Sequence, residues 1–402
     1  MRAITARLAP ILHRWGGFMA VAFALTMGFA TSSLPSPLYP LYQANWQLQP
    51  SELTYIYSLY MVGVLTALLC LGRLSDSLGR YTVVCTALVL MTLGLLLSGV
   101  ASSINALLFA RAIIGLANGL LTTAGALALV DTHPRRDLRI ASVTTSAAIA
   151  VGVGLGPLLS GLLAQTGVAP LRLSYFVVAV LAMGNLWLAR RSRHTFARQT
   201  SVRPRLSITP KLALPAKARR TPFLLAGAAA FTQFSAGSLL ASLVPSFLYD
   251  LLPWKGPAVP GVAFLILSIA SAATQLSQRN IAARKGLVVG LLTLAGFLIA
   301  LCLGIWMDSV WGFLAAMVLA GVGQGLCFMA STLIAGQSAD ESRRSANMAT
   351  YFSIAYIGAA VPVIAVGRLA DHWGLAPAVL IFSALAAVAL ITLAWLARKI
   401  LP

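Results

Sequence analysis

Acidic residues are scarce in this chain, which carries only nine aspartates and glutamates against 29 lysines and arginines in 402 residues. None of the nine acids lies in the middle of an apolar run; they occupy the ends of runs or the breaks between them, at Glu52, Asp76, Asp131, Asp137, Asp250, Asp308, Asp340, Glu341 and Asp371. The histidines also fall outside the runs, at His13, His133, His194 and His372. A positioned acid pair of the kind that hydrolytic enzymes use is therefore not expected.

Motifs of catalysis and ATP hydrolysis are also missing. The chain has no HExxH or GxSxG motif, and it lacks the GxxxxGK[ST] loop of ATP-driven pumps. Its four cysteines, Cys70, Cys85, Cys302 and Cys327, lie inside apolar runs without CxxC spacing, as buried apolar side chains do. We expect neither an enzyme nor a bound metal ion or cofactor.

Long apolar runs dominate what is present. Hydrophobic residues make up 59% of the chain, charged residues make up 9%, and the mean hydropathy is +0.87. These values predict an all-α polytopic membrane protein, because a run of about 20 apolar residues spans a bilayer as a helix. Twelve spans are predicted, at residues 16–37, 53–71, 81–100, 105–130, 140–163, 173–190, 222–248, 260–277, 287–306, 310–337, 345–366 and 376–397.

The basic residues lie almost entirely on one side of these spans. The exceptions among the 29 lysines and arginines are Arg111, Arg172, Lys255 and Arg368. The positive-inside rule predicts that this side is cytoplasmic, with both termini there, in the plasma (inner) membrane. The net charge of +20 is then a topology signal that also favours contact with membrane lipids, and no nucleic-acid partner is needed to explain it.

A basic segment divides the spans into six and six. Residues 190–222 contain ten lysines or arginines, four prolines and no acid, which is typical of a linker. We expect a first half at residues 1–190, a cytoplasmic linker at 191–221 and a second half at 222–402. A weak internal repeat supports pseudo-symmetric halves, because Gly-x-Ala-Pro closes the fifth span of each half, at 167–170 and 374–377.

The break after the second span reads GRLSDSLGR, with Gly72, Leu74, Asp76, Gly79 and Arg80. It resembles the signature loop of the major facilitator superfamily, Gly-x-Leu-x-Asp-x-x-Gly-Arg. Two further stretches resemble motifs of that family. In the fourth span, Arg111 is followed by Gly115 and Gly119, and the fifth span contains a Gly-x-x-x-Gly-Pro motif found mainly in the family's antiporters and exporters, with Gly152, Gly156, Pro157 and Gly161.

The resemblance implies a twelve-helix fold of two six-helix halves that transports a small molecule by alternating access. It implies a gating loop in which Asp76 lies near the start of span 11 and Arg80 pairs with Asp131. The loop departs from the family pattern at Ser77 and Tyr81, where basic residues are usual. A solvated turn whose arginines only set topology is the alternative.

Arg111 is the one basic residue within an apolar span. Lipid exposure at that depth would cost several kcal/mol, so we expect it to face the bundle interior. Helical spacing places Arg111, Gly115, Asn118 and Thr122 on one stripe, which we interpret as a cavity wall. Snorkelling of the guanidinium to the membrane surface is the alternative.

Other polar and aromatic side chains within the spans are candidates to line the same cavity. They are Tyr57 on span 2, Gln233 on span 7, Gln275 on span 8, Gln324 and Phe328 on span 10, and Tyr351 on span 11. Each one alone could be ordinary packing, as could the glycines of span 5. Together they indicate an apolar cavity with scattered hydrogen-bonding groups, suited to amphipathic molecules.

We therefore predict a monomeric secondary transporter, most simply a proton-coupled exporter of drugs or amphipathic metabolites. The lack of a mid-membrane carboxylate disfavours a dedicated cation site and leaves Glu52 and Asp131 as candidate proton carriers. An importer of an organic anion is the alternative that Arg111 favours. A membrane receptor that transports nothing is a further alternative.

Overall fold

The computed structural model describes residues 2–72, 74–196, 212–246, 256–307, 309–340 and 343–401, without the side chains of residues 2–13, 76, 305 and 345. Within this part of the chain, 12 helices are long and apolar enough to cross a membrane. They are α1 (Arg2–Ser33), α2 (Pro50–Thr66), α3 (Arg80–Val100), α4 (Ile104–Thr132), α5 (Leu138–Gln165), α6 (Leu173–Arg191), α7 (Lys217–Ser242), α8 (Ala258–Ser277), α9 (Ala283–Trp306), α10 (Val310–Ser338), α11 (Arg344–Trp373) and α12 (Leu375–Ile400). The predicted all-α membrane fold is confirmed.

The first span is interrupted where the sequence predicted one continuous helix. After α1 ends at Ser33, a 3₁₀ turn forms at Ser36–Leu38 and a short helix follows at Tyr39–Trp46. Prolines cause these breaks. Prolines also stand in the first turn of each new helix, because the N–H that a proline lacks would have no partner at that position. The helical path therefore continues beyond the predicted boundary at residue 37.

The packing of the first six helices repeats in the last six. The contacts α1–α5, α2–α4, α3–α4 and α3–α6 have counterparts in α7–α11, α8–α10, α9–α10 and α9–α12. Buried apolar side chains accordingly form two clusters, one mainly from each set of six helices. This agrees with the internal repeat seen in the sequence.

In the described part of the chain, two helix pairs make the most extensive contacts between the halves: α2 packs on α11 and α5 packs on α8. Each helix of one pair is equivalent to a helix of the other pair in the opposite half: α2 corresponds to α8, and α11 corresponds to α5. A pseudo-two-fold axis therefore relates the two pairs. The α5–α8 approach is close enough to require glycine. A Cβ atom at Gly161 would lie 2.4 Å from the backbone oxygen of Pro257, and one at Gly261 would lie 2.7 Å from that of Pro157.

The bundle has two ends, which we name here. The basic end contains the α2–α3 and α4–α5 breaks and the C-terminus of α12. The other end is called the opposite end. At the basic end, α7 begins at Lys217, inside the stretch assigned to the linker. Before it, Ala213 donates its N–H to Thr350 Oγ1 (3.0 Å), and Asn347 Nδ2 donates to the Ala213 oxygen (2.9 Å). The end of the linker is thus fastened to α11, while residues 197–211 lie outside the described part of the chain.

Candidate functional site

Contacts between the halves are concentrated toward the opposite end. Among the described residues, four hydrogen bonds cross the boundary at or beyond the middle of the helices: Ser58 Oγ to Ala360 O (3.3 Å), Arg368 Nε to Tyr55 Oη (3.0 Å), Ser51 N to Asp371 Oδ1 (3.0 Å) and Ser36 Oγ to Ala241 O (2.6 Å). Side chains of the second half also join the apolar cluster of the first, at Ala241, Ala359, Ala360 and Val363. The opposite end is therefore closed in this structure.

An aromatic group lies at the boundary between the halves. The ring of Phe234 on α7 is 6.3 Å from that of Phe328 on α10 and 5.7 Å from that of Tyr356 on α11. Phe234 packs against both apolar clusters, and Tyr356 packs against the cluster of the first half. Two of these rings, on α7 and α11, therefore contact the first half.

Gln233, which precedes Phe234 on α7, also contacts α10. Gln233 Nε2 donates to the backbone oxygen of Gln324 across 3.2 Å, which orients the amide of Gln233. Its Oε1 atom is buried and has no hydrogen-bond partner. A buried oxygen of this kind can accept a hydrogen bond from a bound molecule. Two predicted site residues, Gln233 and Gln324, are thus brought together.

The first half contributes tyrosines of α2. Tyr57 and Tyr60 are both buried, and the Tyr60 hydroxyl accepts a hydrogen bond from Asn118 Nδ2 of α4. The Thr122 hydroxyl donates to the backbone oxygen of Asn118 across 2.8 Å, within its own helix. We had not predicted Tyr60; its spacing of three residues from Tyr57 on one helical face was the available signal.

Arg111 lies inside the bundle with no exposed surface, so the snorkelling alternative is wrong. Its Nη1 and Nη2 atoms each donate across 2.8 Å, to the backbone oxygens of Thr31 and Ser32, at the end of α1. The Tyr60 ring lies 4.5 Å from the guanidinium carbon, a cation–π distance. Among the described residues, the ion pair that forms is Arg80–Asp131, so Arg111 has no carboxylate partner there. Backbone carbonyls and the Tyr60 ring stabilise its charge instead.

The glycines of the α5 motif face two different neighbours. A Cβ atom at Gly152 would lie 2.4 Å from the backbone oxygen of Thr26, and one at Gly156 would lie 2.3 Å from that of Ala30. Gly152 and Gly156 thus allow α1 and α5 to pack closely within the first half. Gly161, one turn beyond Pro157, instead meets the second half at Pro257.

In the predicted gating loop, Arg80 and Asp131 form an ion pair between the start of α3 and the end of α4. Arg80 Nη1 also donates to the Leu127 backbone oxygen across 3.4 Å. Gly79 has φ of +88°, which an L side chain rarely adopts. Gly72 ends the π-helical turn that follows α2. Asp76 lies on the short helix Leu74–Leu78, and its side chain is outside the described part of the structure.

Two further predicted cavity residues form hydrogen bonds within the second half. Tyr351 has no exposed surface, and its hydroxyl is 2.9 Å from Ser331 Oγ and 3.2 Å from Thr332 Oγ1 of α10. Gln275 is near the basic end of α8, where Nε2 donates to Ser271 Oγ across 3.2 Å. Tyr351 therefore joins α10 to α11 in the core of the second half.

The carboxylates with described side chains lie at helix ends or in loops. They are Glu52, Asp131, Asp137, Asp340 and Asp371. Asp137 caps α5, and the backbone N–H groups of Ile140 and Arg139 that donate to its carboxylate hold its pKa below the usual value. Among the residues with described side chains, Arg111 is therefore the one lysine, arginine or carboxylate that is buried in the bundle.

Comparison with known proteins agrees with the fold and the motifs. Residues 21–363 match the family described as Major Facilitator Superfamily. The chain is 26% identical over 367 residues to the multidrug efflux protein YfmO of Bacillus subtilis, covering 88% of this chain and 86% of that protein. A putative multidrug resistance protein, MdtD of Escherichia fergusonii, is 29% identical over 156 residues, which are 39% of this chain and 33% of that protein.

Among solved structures, a POT family transporter in complex with 5-aminolevulinic acid has a similar fold. The TM-score is 0.76 at 11% sequence identity, and the alignment covers 96% of this chain and 97% of that one. At this identity the likeness concerns the fold alone. The twelve helices, their order and their arrangement are thus shared with a solved membrane transporter.

Proposed function

The chain belongs to the major facilitator superfamily and is a multi-pass membrane transporter rather than an enzyme, and we propose that it exports amphipathic small molecules by alternating access. In this mechanism the two six-helix halves rock about a central site and expose it to one side of the membrane at a time. The observation that carries the proposal is the aromatic and amide group at the boundary of the halves, formed by Phe234, Phe328, Tyr356 and Gln233.

The chemistry of this group favours neutral amphipathic substrates. Phe234, Phe328 and Tyr356 offer apolar surface, and Gln233 Oε1 offers an acceptor for an N–H or O–H group. Aromatic walls with few polar groups are typical of sites that bind such molecules. Arg111 is already bonded to carbonyls at the end of α1, which weakens the case for import of an organic anion.

Export is supported by two observations. A relative that matches 88% of this chain is named a multidrug efflux protein, and α5 has the glycine and proline pattern found mainly in exporters. The basic end is cytoplasmic by the positive-inside rule, with both termini on that side of the plasma (inner) membrane. Closure of the opposite end then corresponds to a state that receives substrate from the cytoplasm.

Protons are the coupling ion in this proposal, although no described carboxylate lies in mid-membrane. Of the candidate carriers, Asp131 is paired with Arg80, whereas Glu52 accepts a hydrogen bond from the Gln49 backbone N–H across 2.8 Å at the opposite end. A proton-driven importer would instead move protons and substrate in the same direction. The protein is proposed to act as a monomer in contact with membrane lipids.

The test is flux in proteoliposomes that contain the purified full-length protein. Fluorescent amphipathic dyes and organic anions are offered with and without an imposed pH gradient. We expect dye transport against its gradient, driven by protons moving the other way. Flux that ignores the pH gradient would refute proton coupling, and transport of anions in place of dyes would favour the importer. Absence of any flux would favour a receptor.

A further inference from the structure

The last turn of α11 contacts the first turn of α2 across the boundary between the halves. Asp371 Oδ1 accepts a hydrogen bond from the backbone N–H of Ser51 across 3.0 Å. One turn earlier, Arg368 Nε donates to the Tyr55 hydroxyl across 3.0 Å. Gly367, next to Arg368, packs closely on α2, where a Cβ atom would come within 2.8 Å of the Ser51 Cα atom. This turn of α11 therefore fits closely against the start of α2.

The first N–H groups of a helix lack partners within the helix and carry partial positive charge. In α2, the Glu52 carboxylate accepts a hydrogen bond from the backbone N–H of Gln49, and the Glu52 N–H donates to the Gln49 backbone oxygen across 3.0 Å. The N–H of Ser51 lies between them and is satisfied from the other half of the protein, by Asp371. Completion of the α2 N-terminus thus depends on the halves being together at this end.

We propose that Asp371 is a positioning residue for the transport cycle, because its carboxylate at the N-terminus of α2 holds the opposite end closed. When that end opens, the carboxylate and the Ser51 N–H separate and each must be solvated by water instead. The contact therefore favours the closed state by the difference in the free energy of these two groups between the paired and the hydrated environment. The inference rests on the proposed alternating access. The contact between the Asp371 charge and the α2 helix dipole lies at the opposite end, whereas the loop that contains Asp76 lies at the basic end.

The experiment measures opening of this end directly. Val168 and Met307 lie in opposite-end loops of the first and second halves and are 63% and 65% exposed. Both are replaced by spin-labelled cysteine in a full-length chain whose native cysteines are replaced by serine. Pulsed electron paramagnetic resonance in lipid nanodiscs then reports the distribution of distances between the labels, with long distances marking the open state.

We expect Asp371→Asn, Asp371→Ala and Asp371→Lys to raise the ratio of long to short distances in increasing order. The alanine change should give an increase of about threefold, as expected for loss of a charge at a helix terminus. Asp371→Asn keeps the shape of the side chain and remains informative if Asp371→Lys does not fold. Elution as a single species in size-exclusion chromatography verifies folding.

Asp137→Asn is the control, because it removes a carboxylate that caps a helix N-terminus within the first half and does not reach the other half. We expect it to leave the distance distribution unchanged. An unchanged distribution in both Asp371→Asn and Asp371→Ala would overturn the proposal, as would an equal shift in Asp137→Asn, which would indicate a general effect of removing a charge from a helix terminus. Distances are measured without substrate, so absence of flux in the unmodified protein would refute the transport function separately.

Discussion

The Nη1 atom of Arg111 donates a hydrogen bond to the backbone oxygen of Thr31 across 2.8 Å. In a continuous helix that oxygen would accept from the N–H of the residue four positions later. Here that residue is Pro35, which has no N–H. The guanidinium of α4 therefore supplies the donor that the proline removes, and it completes the end of α1 from inside the bundle.

The first prediction follows from this pairing. Arg111→Lys keeps the charge but cannot reach the oxygens of Thr31 and Ser32 in the same fork, so both carbonyls compete for one ammonium group. We expect a loss of about 1–3 kcal/mol in the free energy of unfolding, typical of a buried group left without its partner. Thermal unfolding in detergent, followed by tryptophan fluorescence, measures it.

Pro35→Ala provides the control for that prediction. An alanine restores an N–H that can pair with the Thr31 oxygen, so Arg111→Lys should cost less in the Pro35→Ala background than in the unmodified chain. Equal losses in both backgrounds would show that Arg111 stabilises the protein through contacts other than the Thr31 carbonyl.

The second prediction concerns close packing of α1 and α5. Gly156→Ala would place a Cβ atom 2.3 Å from the Ala30 oxygen, which is backbone and cannot rotate away. We expect destabilisation of about 1–3 kcal/mol, as for overpacking of a core. Gly184→Ala in α6 is the control, because its Cβ meets nothing within 4 Å. It should instead stabilise the helix by about 0.5–1 kcal/mol. Melting temperatures of the two variants should therefore move in opposite directions.

The third prediction tests the loop at the basic end. Asp76→Asn should reduce the rate of transport while membrane abundance stays unchanged, because the carboxylate is expected to hold a helix terminus in one state of the cycle. The partly exposed Arg80–Asp131 pair lies within one half, and its coupling in a double-mutant cycle with Arg80→Gln and Asp131→Asn should be about 0.2–1 kcal/mol. Transport by Asp76→Asn at the unmodified rate would contradict a gating role.

The fourth prediction concerns the rings at the boundary. Phe234→Ala removes the ring that packs against both apolar clusters, so it should raise the KM for an amphipathic dye about threefold to tenfold. Phe109→Ala removes a ring that is 62% exposed on the outer surface of α4 and serves as the control. Dye flux at a range of concentrations measures both values. A similar KM in the two variants would place the substrate elsewhere.

The fifth prediction is a pH dependence. The N–H groups of Ile140 and Arg139 stabilise ionised Asp137, so its pKa is lowered in the folded protein. The stabilisation is complete above the ordinary pKa of an aspartate, about 3.9, and is lost as the pH falls through the lowered folded value. Asp137→Asn retains an oxygen acceptor but does not titrate. The stability advantage of the unmodified protein over this variant should therefore shrink only in acid, in melts recorded from pH 7 downward.

Much of the architecture could be predicted because a bilayer leaves few choices. Long apolar runs must be helices, since every backbone polar group needs a partner in hydrocarbon. The cost of a charge in lipid likewise places Arg111 inside the bundle. Spacing along one helix also indicated the α4 stripe from Arg111 to Thr122, because residues three and four apart share a face.

Helical periodicity identifies a face but not the helix that covers it. Tyr351 is predicted from its spacing to line a cavity, and only the structure shows that Ser331 and Thr332 of α10 are its hydrogen-bond partners. Tyr60 was not predicted, because its role depends on Arg111 and Asn118 of another helix.

The sequence by itself thus determined the membrane class, the number of helices and the interior position of Arg111, all of which follow from the energetics of transfer into lipid. Only the tertiary structure decided which groups satisfy one another. Arg111 reaches the Thr31 oxygen 80 positions away, and Asp371 reaches the Ser51 N–H 320 positions away. Such pairings depend on how twelve similar helices pack side by side, and local spacing contains no record of that order.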